Sequence, residues 1–195
     1  MKSPLHSALP AVGSIGLPGQ ALRVVAGVLL LTLSAKVQVP FWPVPMTLQV
    51  AAVMALAAAY GLRLGTLTVL GYLMAGAVGF PVFAGTPEKG IGLAYIFGGT
   101  GGYLLGFVVA TILVGWAADH LRKPFLWPAM LVGLAVIYVL GLGWLSQFVP
   151  GDKLLAYGFT PFVAGDLVKI TLASVVVLGL PSGLLSRIRG CRSDA

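Results

Sequence analysis

Thr160-Pro161-Phe162-Val163-Ala164-Gly165-Asp166-Leu167-Val168-Lys169-Ile170 opens the last long apolar segment of the chain and sets two charged side chains inside it. Read as a helix, three residues of separation turn through about 300°, so Asp166 and Lys169 stand on one face, one turn apart along the axis. There they can pair, or hold a ligand between them. A charge in hydrocarbon costs on the order of 2.5 to 3.5 kcal/mol even on insertion scales, so such groups face a protein interior or cavity and mark a site or pathway. Two readings stand: a binding site built on the pair, and an ion pair that only ties the bundle together.

The rest of the chain says what surrounds that segment. Of 195 residues 58% are hydrophobic and 9% charged, and the mean hydropathy is +1.01; soluble domains carry about 25% charged residues. The fold class is therefore an all-α integral membrane bundle. Its 27 glycines and 13 prolines fit transmembrane helices, where small residues allow close backbone approach and helix breaks are tolerated. A single cysteine, Cys191, excludes an intrachain disulfide and a cysteine metal cluster. Residues 1–20 hold no compact apolar run ending at a small-residue cleavage site, and read as a tail rather than a signal peptide.

Apolar runs and breakers divide the remainder. The first span is expected over Leu22 to Val39, closed by Pro40-Phe41-Trp42-Pro43-Val44-Pro45, a cluster that cannot be regular helix and reads as a stiff surface loop. A second stretch covers Met46 to Leu62, with Ala51, Ala55 and Ala59 as a small-residue packing stripe. Gly61, Arg63 and Gly65 mark a tight turn into a third, Leu64 to Phe80. A long loop, Pro81 to Gly102, has the length of a binding loop; its Gly98-Gly99-Thr100-Gly101-Gly102 run lacks the Lys and Ser/Thr of a phosphate-binding loop. The fourth and fifth spans are Tyr103 to Ala118 and Phe125 to Phe148, followed by a loop over Val149 to Thr160. The sixth runs from Pro161 to near Leu185, with Thr160 as a candidate cap.

Six spans make one membrane domain over 21–187 with short tails, 1–20 and 188–195. Lys2, Arg23, Arg63, Arg122, Lys123, Arg187, Arg189 and Arg192 fall on the side of the termini, against Lys36, Lys89 and Lys153 on the other. By the positive-inside rule the termini are cytoplasmic. The net charge of +7 thus orients the protein and does not argue for nucleic acid. Asp166 and Lys169 then lie under three external loops. A serine hydrolase suggested by Gly179-Leu180-Pro181-Ser182-Gly183 lacks its base, since the histidines are His6 in the tail and His120 in a cytoplasmic loop. No catalytic, metal or cofactor site is read. A proton-coupled carrier for another small anionic or amide-containing solute is the alternative to a binding subunit.

Four ordered pieces, Pro43-Val44-Pro45-Met46-Thr47-Leu48-Gln49, Gly79-Phe80-Pro81-Val82-Phe83-Ala84-Gly85, Thr100-Gly101-Gly102-Tyr103 and Gly165-Asp166-Leu167-Val168-Lys169, resemble the BioY family, the biotin-binding S components of energy-coupling-factor transporters. The likeness runs from about residue 20 to 187. It implies a six-helix substrate-binding subunit of the bacterial cytoplasmic membrane, in which Asp166 and Lys169 contact biotin. It also implies that the chain works alone or with a transmembrane coupling subunit and two ATPases. The family's small residues four apart on the first helix are not cleanly present, because Ala26 and Gly27 are followed four later by Leu30 and Leu31. That departure bears on the coupling surface and not on the ligand. With biotin as ligand, Asp166 would accept from a ureido N–H and Lys169 would donate to a carbonyl or carboxylate oxygen. Phe83, Trp42 and Tyr95 are then candidates for the apolar wall, and Thr47 and Gln49 for further polar contacts.

Overall fold

The computed structural model describes residues 16–39 and 43–189. Helix α1, Leu17–Lys36, starts with Pro18 in its first turn, where the missing N–H costs nothing. It lies against helix α2, and Gly27 permits the approach, since a side chain there would run into Thr68 and Tyr60. Two short strands, β1 (Gln38–Val39) and β2 (Met46–Thr47), pair antiparallel in the register Gln38 to Thr47. Of the proline cluster between them, Val44 and Pro45 are buried rather than lying at the surface.

Helix α2, Gln49–Ala77, is broken at Gly61, whose φ of 75° and ψ of −176° leave the helical region. Such a conformation is essentially reserved for glycine. The arms fold back on each other: a side chain at Gly65 would sit 3.4 Å from the Ala57 Cα, and Gln49 Nε2 lies 2.8 Å from the Tyr72 hydroxyl. On one straight helix those two residues would be about 35 Å apart. The expected turn near Arg63 is therefore a single-residue break at Gly61. The packed face of the first arm is Val53, Met54, Ala57 and Ala58, while Ala51, Ala55 and Ala59 are only half-buried, so the alanine stripe lies at the edge of the contact.

The loop after α2 contains a one-turn helix α3, Leu93–Ile96. Lys36, at the end of α1, holds this loop by donating to the Phe83 and Thr86 carbonyls and to Thr86 Oγ1, each at 3.0 Å. Helix α4, Gly101–His120, is the central element, packed between α2 and α5, Leu126–Leu145. Its glycines make that possible. An added Cβ at Gly106 would meet the Ile137 Cα at 2.8 Å, and one at Gly115 the Leu62 backbone at 2.8 Å.

The stretch read as a loop over Val149 to Thr160 instead forms helix α6, Gly151–Gly158. Its eight residues mix Asp152 and Lys153 with Leu154, Leu155 and Tyr157, an amphipathic turn too short to stand out as an apolar run. Helix α7, Thr160–Gly179, follows with Pro161 in its first turn; Phe159 is the N-cap and the Thr160 side chain makes no capping bond. Helix α8, Ser182–Arg189, turns back under α2. Arg189 donates to the carbonyls of Ala58, Ala59 and Ala118 at 2.6, 3.3 and 2.8 Å. These are carbonyls near helix ends, which cations favour. Asp119 accepts the Leu62 N–H at 2.8 Å and faces Arg189 at 3.6 Å.

Among the described residues five helical stretches are long and apolar enough to cross a bilayer, and the chain is a multi-pass, all-α membrane bundle to which these residues add one small strand pair. Large apolar side chains such as Leu22, Leu33, Val139 and Val175 are exposed, as lipid-facing surface requires. Met54, Val114, Met130, Ile137 and Ile170 fill the interior.

Candidate substrate-binding site

Helix α7 enters the bundle beside α2 and α5 and brings its two charges inward. Lys169 Nζ donates to Asp166 Oδ1 at 2.8 Å and to the Thr47 carbonyl of β2 at 2.7 Å. The other carboxylate oxygen, Oδ2, accepts from the Tyr138 hydroxyl of α5 at 2.7 Å. Asp166 is 5% exposed. A buried charge with one partner would be costly; this one has an ammonium and a phenol.

These groups line a cavity of about 580 Å³, counted out to its open mouth, between the strand pair and helices α2, α3, α4, α5 and α7. Its polar side is Asp166, Lys169, Thr47, Gln49 and Tyr138. Its apolar side includes Val44, Met46, Leu104, Phe107, Ile137 and Phe162. That mixture of a largely apolar wall with a few convergent polar groups is usual for a small-molecule site.

The candidates named from the sequence separate here. Thr47 contributes twice, through its carbonyl to Lys169 and through Oγ1, which accepts the Gln49 N–H at 3.2 Å and so starts α2. Gln49 lines the cavity and donates to Tyr72, which in turn donates to the Val82 carbonyl at 3.1 Å. Tyr95 also lines it. Burial pushes the Tyr95 phenol up, an effect the Thr100 side chain partly offsets, so the ring presents a neutral hydroxyl. Phe83 is not in the lining. It is 1% exposed, stacks behind Tyr95 at 4.8 Å and meets Tyr72 edge-on at 5.3 Å. Its place is structural support for the wall. Trp42 lies outside the described residues.

Two tyrosines complete the site without having been named as contacts from the sequence, although Tyr103 closes one of the four pieces that carry the resemblance. Tyr138 sits within the apolar run of α5, where a tyrosine looks like any other lipid-facing or core ring, and only the fold aims it at Asp166. Tyr103 begins α4 and donates to the Gly158 carbonyl at 2.8 Å, leaving its oxygen free to accept. The available hydrogen-bonding capacity follows from the side-chain chemistry. Lys169 has a third N–H, Asp166 keeps lone pairs on both oxygens, and the phenol oxygens of Tyr138 and Tyr103 can each accept. The arrangement can receive a planar group that carries two donors and one acceptor. Among the described residues no three His, Cys, Asp or Glu side chains are grouped to hold a metal ion.

Comparison with known proteins identifies the family. The BioY family model matches residues 10–185. A protein of Pyrococcus horikoshii described as a probable biotin transporter BioY is 39% identical over 149 residues, 76% of this chain and 88% of the relative. The biotin transporter BioY of Thermotoga maritima is 39% identical over 154 residues, 77% of this chain and 89% of its own length. In fold, the chain is similar to a crystal structure of the S-component for biotin from an ECF-type ABC transporter, with a TM-score of 0.70 at 22% identity over 84% of this chain and 93% of the other.

Proposed function

This chain belongs to the BioY family, and we infer that it captures biotin as the substrate-binding component of a vitamin transporter. The observation that carries the reading is the constellation of Asp166, Lys169 and Tyr138 at one wall of an otherwise apolar cavity. A ureido ring offers two N–H donors and one carbonyl. Asp166 and a neighbouring phenol oxygen accept the two N–H groups, and the free N–H of Lys169 donates to the carbonyl. Bonds to an ionised partner are the strong ones, and more so away from water. The thiophane ring and valeryl chain rest on Phe107, Ile137, Phe162 and Val44, at about 25 cal/mol for each Å² of apolar surface removed from water.

In this reading the two arms of α2 count as separate spans, giving six. The end bearing Arg63, Arg122, Lys123 and Arg189 faces the cytoplasm, and the cavity opens outward. The membrane is the bacterial cytoplasmic membrane. The chain carries out no chemistry on its ligand. Uptake is then driven through a transmembrane coupling subunit with two ATPases, or by the chain working without a dedicated module.

The deciding experiment is calorimetric titration of the purified, ligand-free chain with biotin and with an analogue lacking one ureido N–H. Biotin should bind without nucleotide. The analogue should lose about 1 to 3 kcal/mol, the cost of an underpaired buried group, whereas trimming one chain methylene should cost about 0.8 kcal/mol. No heat and no thermal stabilisation by biotin, from folded protein, would overturn the assignment in favour of a proton-coupled carrier.

A further inference from the structure

A second cavity, of about 750 Å³ counted out to its open mouth, lies at the opposite end of the bundle, where the ends of α4 and α7 meet the start of α5 and the turn into α8. It shares no residue with the site above. Leu121, Leu126, Leu178 and Leu185 form its apolar wall, and Arg122 and Lys123 stand at its rim. Arg189 reaches the cavity too, but its guanidinium is already tied to three helix carbonyls. The Arg122 and Lys123 side chains are exposed and make no hydrogen bond or ion pair with the described residues. Asp119 is the acidic side chain nearest in sequence to them, and it is engaged by Leu62 and Arg189.

Two unpaired cations beside an apolar hollow ask for an amphiphile with an anionic head. The depth is right for a membrane lipid. Trp116 and Trp127, each exposed on the neighbouring helices, suit the headgroup level, and Leu121 of the lining is itself exposed. Basic pockets between helix ends attract anionic lipid heads, and each Lys or Arg near the surface contributes about 1 kcal/mol.

We propose that this cavity binds one anionic phospholipid of the adjoining leaflet, its phosphodiester held by Arg122 and Lys123 and its acyl chains lying along Leu121, Leu126 and Leu178. The lipid occupies the crevice between α4, α5 and α8 and braces the end of the bundle that Arg189 already ties. The site is independent of the biotin reading.

The test uses the full chain, delipidated in a neutral detergent. Short-chain phosphatidylglycerol, the matching phosphatidylcholine and glycerol phosphate are titrated while the melting midpoint and bound mass are followed. Phosphatidylglycerol should bind at least tenfold more tightly than phosphatidylcholine, less so as salt is raised, and glycerol phosphate should bind far more weakly than either. Arg122→Gln with Lys123→Gln should weaken phosphatidylglycerol by about 30-fold and leave phosphatidylcholine and biotin titrations unchanged. Leu178→Trp, which fills the hollow and keeps both charges, should remove phosphatidylglycerol binding as well. Equal affinity for the two lipids, equal affinity for glycerol phosphate, or wild-type lipid preference in either variant would each overturn the proposal. If a variant fails to fold, the wild-type comparison of the two lipids and the soluble anion decides alone.

Discussion

At the scale of single residues, the site is a chain of three partners in which the middle one is least replaceable. Asp166 serves both Lys169 and Tyr138, so Asp166→Asn strands a buried ammonium and Lys169→Met a buried carboxylate. Either change should cost about 3 to 5 kcal/mol of stability and abolish biotin binding. Neither alone separates a binding role from a structural one. The double variant Asp166→Asn, Lys169→Met should fold close to wild type in a thermal melt yet show no biotin heat; wild-type affinity in that protein would contradict the assignment. Tyr138→Phe removes a bond to a charged acceptor but no charge. Its melting midpoint without ligand should drop by the equivalent of about 1 to 3 kcal/mol, and saturating biotin, whose N–H can take the freed lone pair of Asp166, should restore part of the loss. The charged pair was legible in the sequence because nothing else in its segment is ionisable. Tyr138 was not, since its meaning depends on which face of α5 meets α7. For the same reason sequence alone could not rank Phe83 behind Tyr95.

Among the elements, what holds the cavity open is the spacing of α2, α4 and α5, and glycine sets it. Gly106 lies where an added Cβ would press on the Ile137 backbone at 2.8 Å, and backbone cannot swing aside as a side-chain tip can. Gly106→Leu should push α5 outward and carry Tyr138 away from Asp166. Biotin affinity should fall at least tenfold in a calorimetric titration. Gly143, on the same helix pair, has nothing within 4 Å of an added Cβ. Gly143→Ala should leave binding alone and raise the melting midpoint, by the equivalent of up to about 1 kcal/mol from helix propensity. The broken α2 was readable from Gly61, Arg63 and Gly65 to within a residue or two. Helix α6 was not, because eight residues with two charges resemble a polar loop until α5 and α7 pack against them.

For the whole molecule, the charges sort by end: Lys36 binds the loop on the cavity side, while Arg122, Lys123 and Arg189 gather around the far cavity. On the proposed orientation, with that far end in the cytoplasm, Cys191, which lies outside the described residues, should escape a membrane-impermeant thiol reagent in intact cells and react once the membrane is opened. Labelling from outside would reverse the orientation. The bond from Lys169 to the Thr47 carbonyl joins positions 122 residues apart. At about 5 to 20 residues per second, a ribosome delivers the second of them on the order of ten seconds after the first. During that interval the earlier helices can already stand in the bilayer, but the Thr47 carbonyl has no ammonium to accept from and the cavity has no carboxylate. On the proposed binding role of Asp166 and Lys169, a nascent chain cannot sequester the vitamin: the ability to hold ligand arrives with α7, and occupancy would report that synthesis has passed that point.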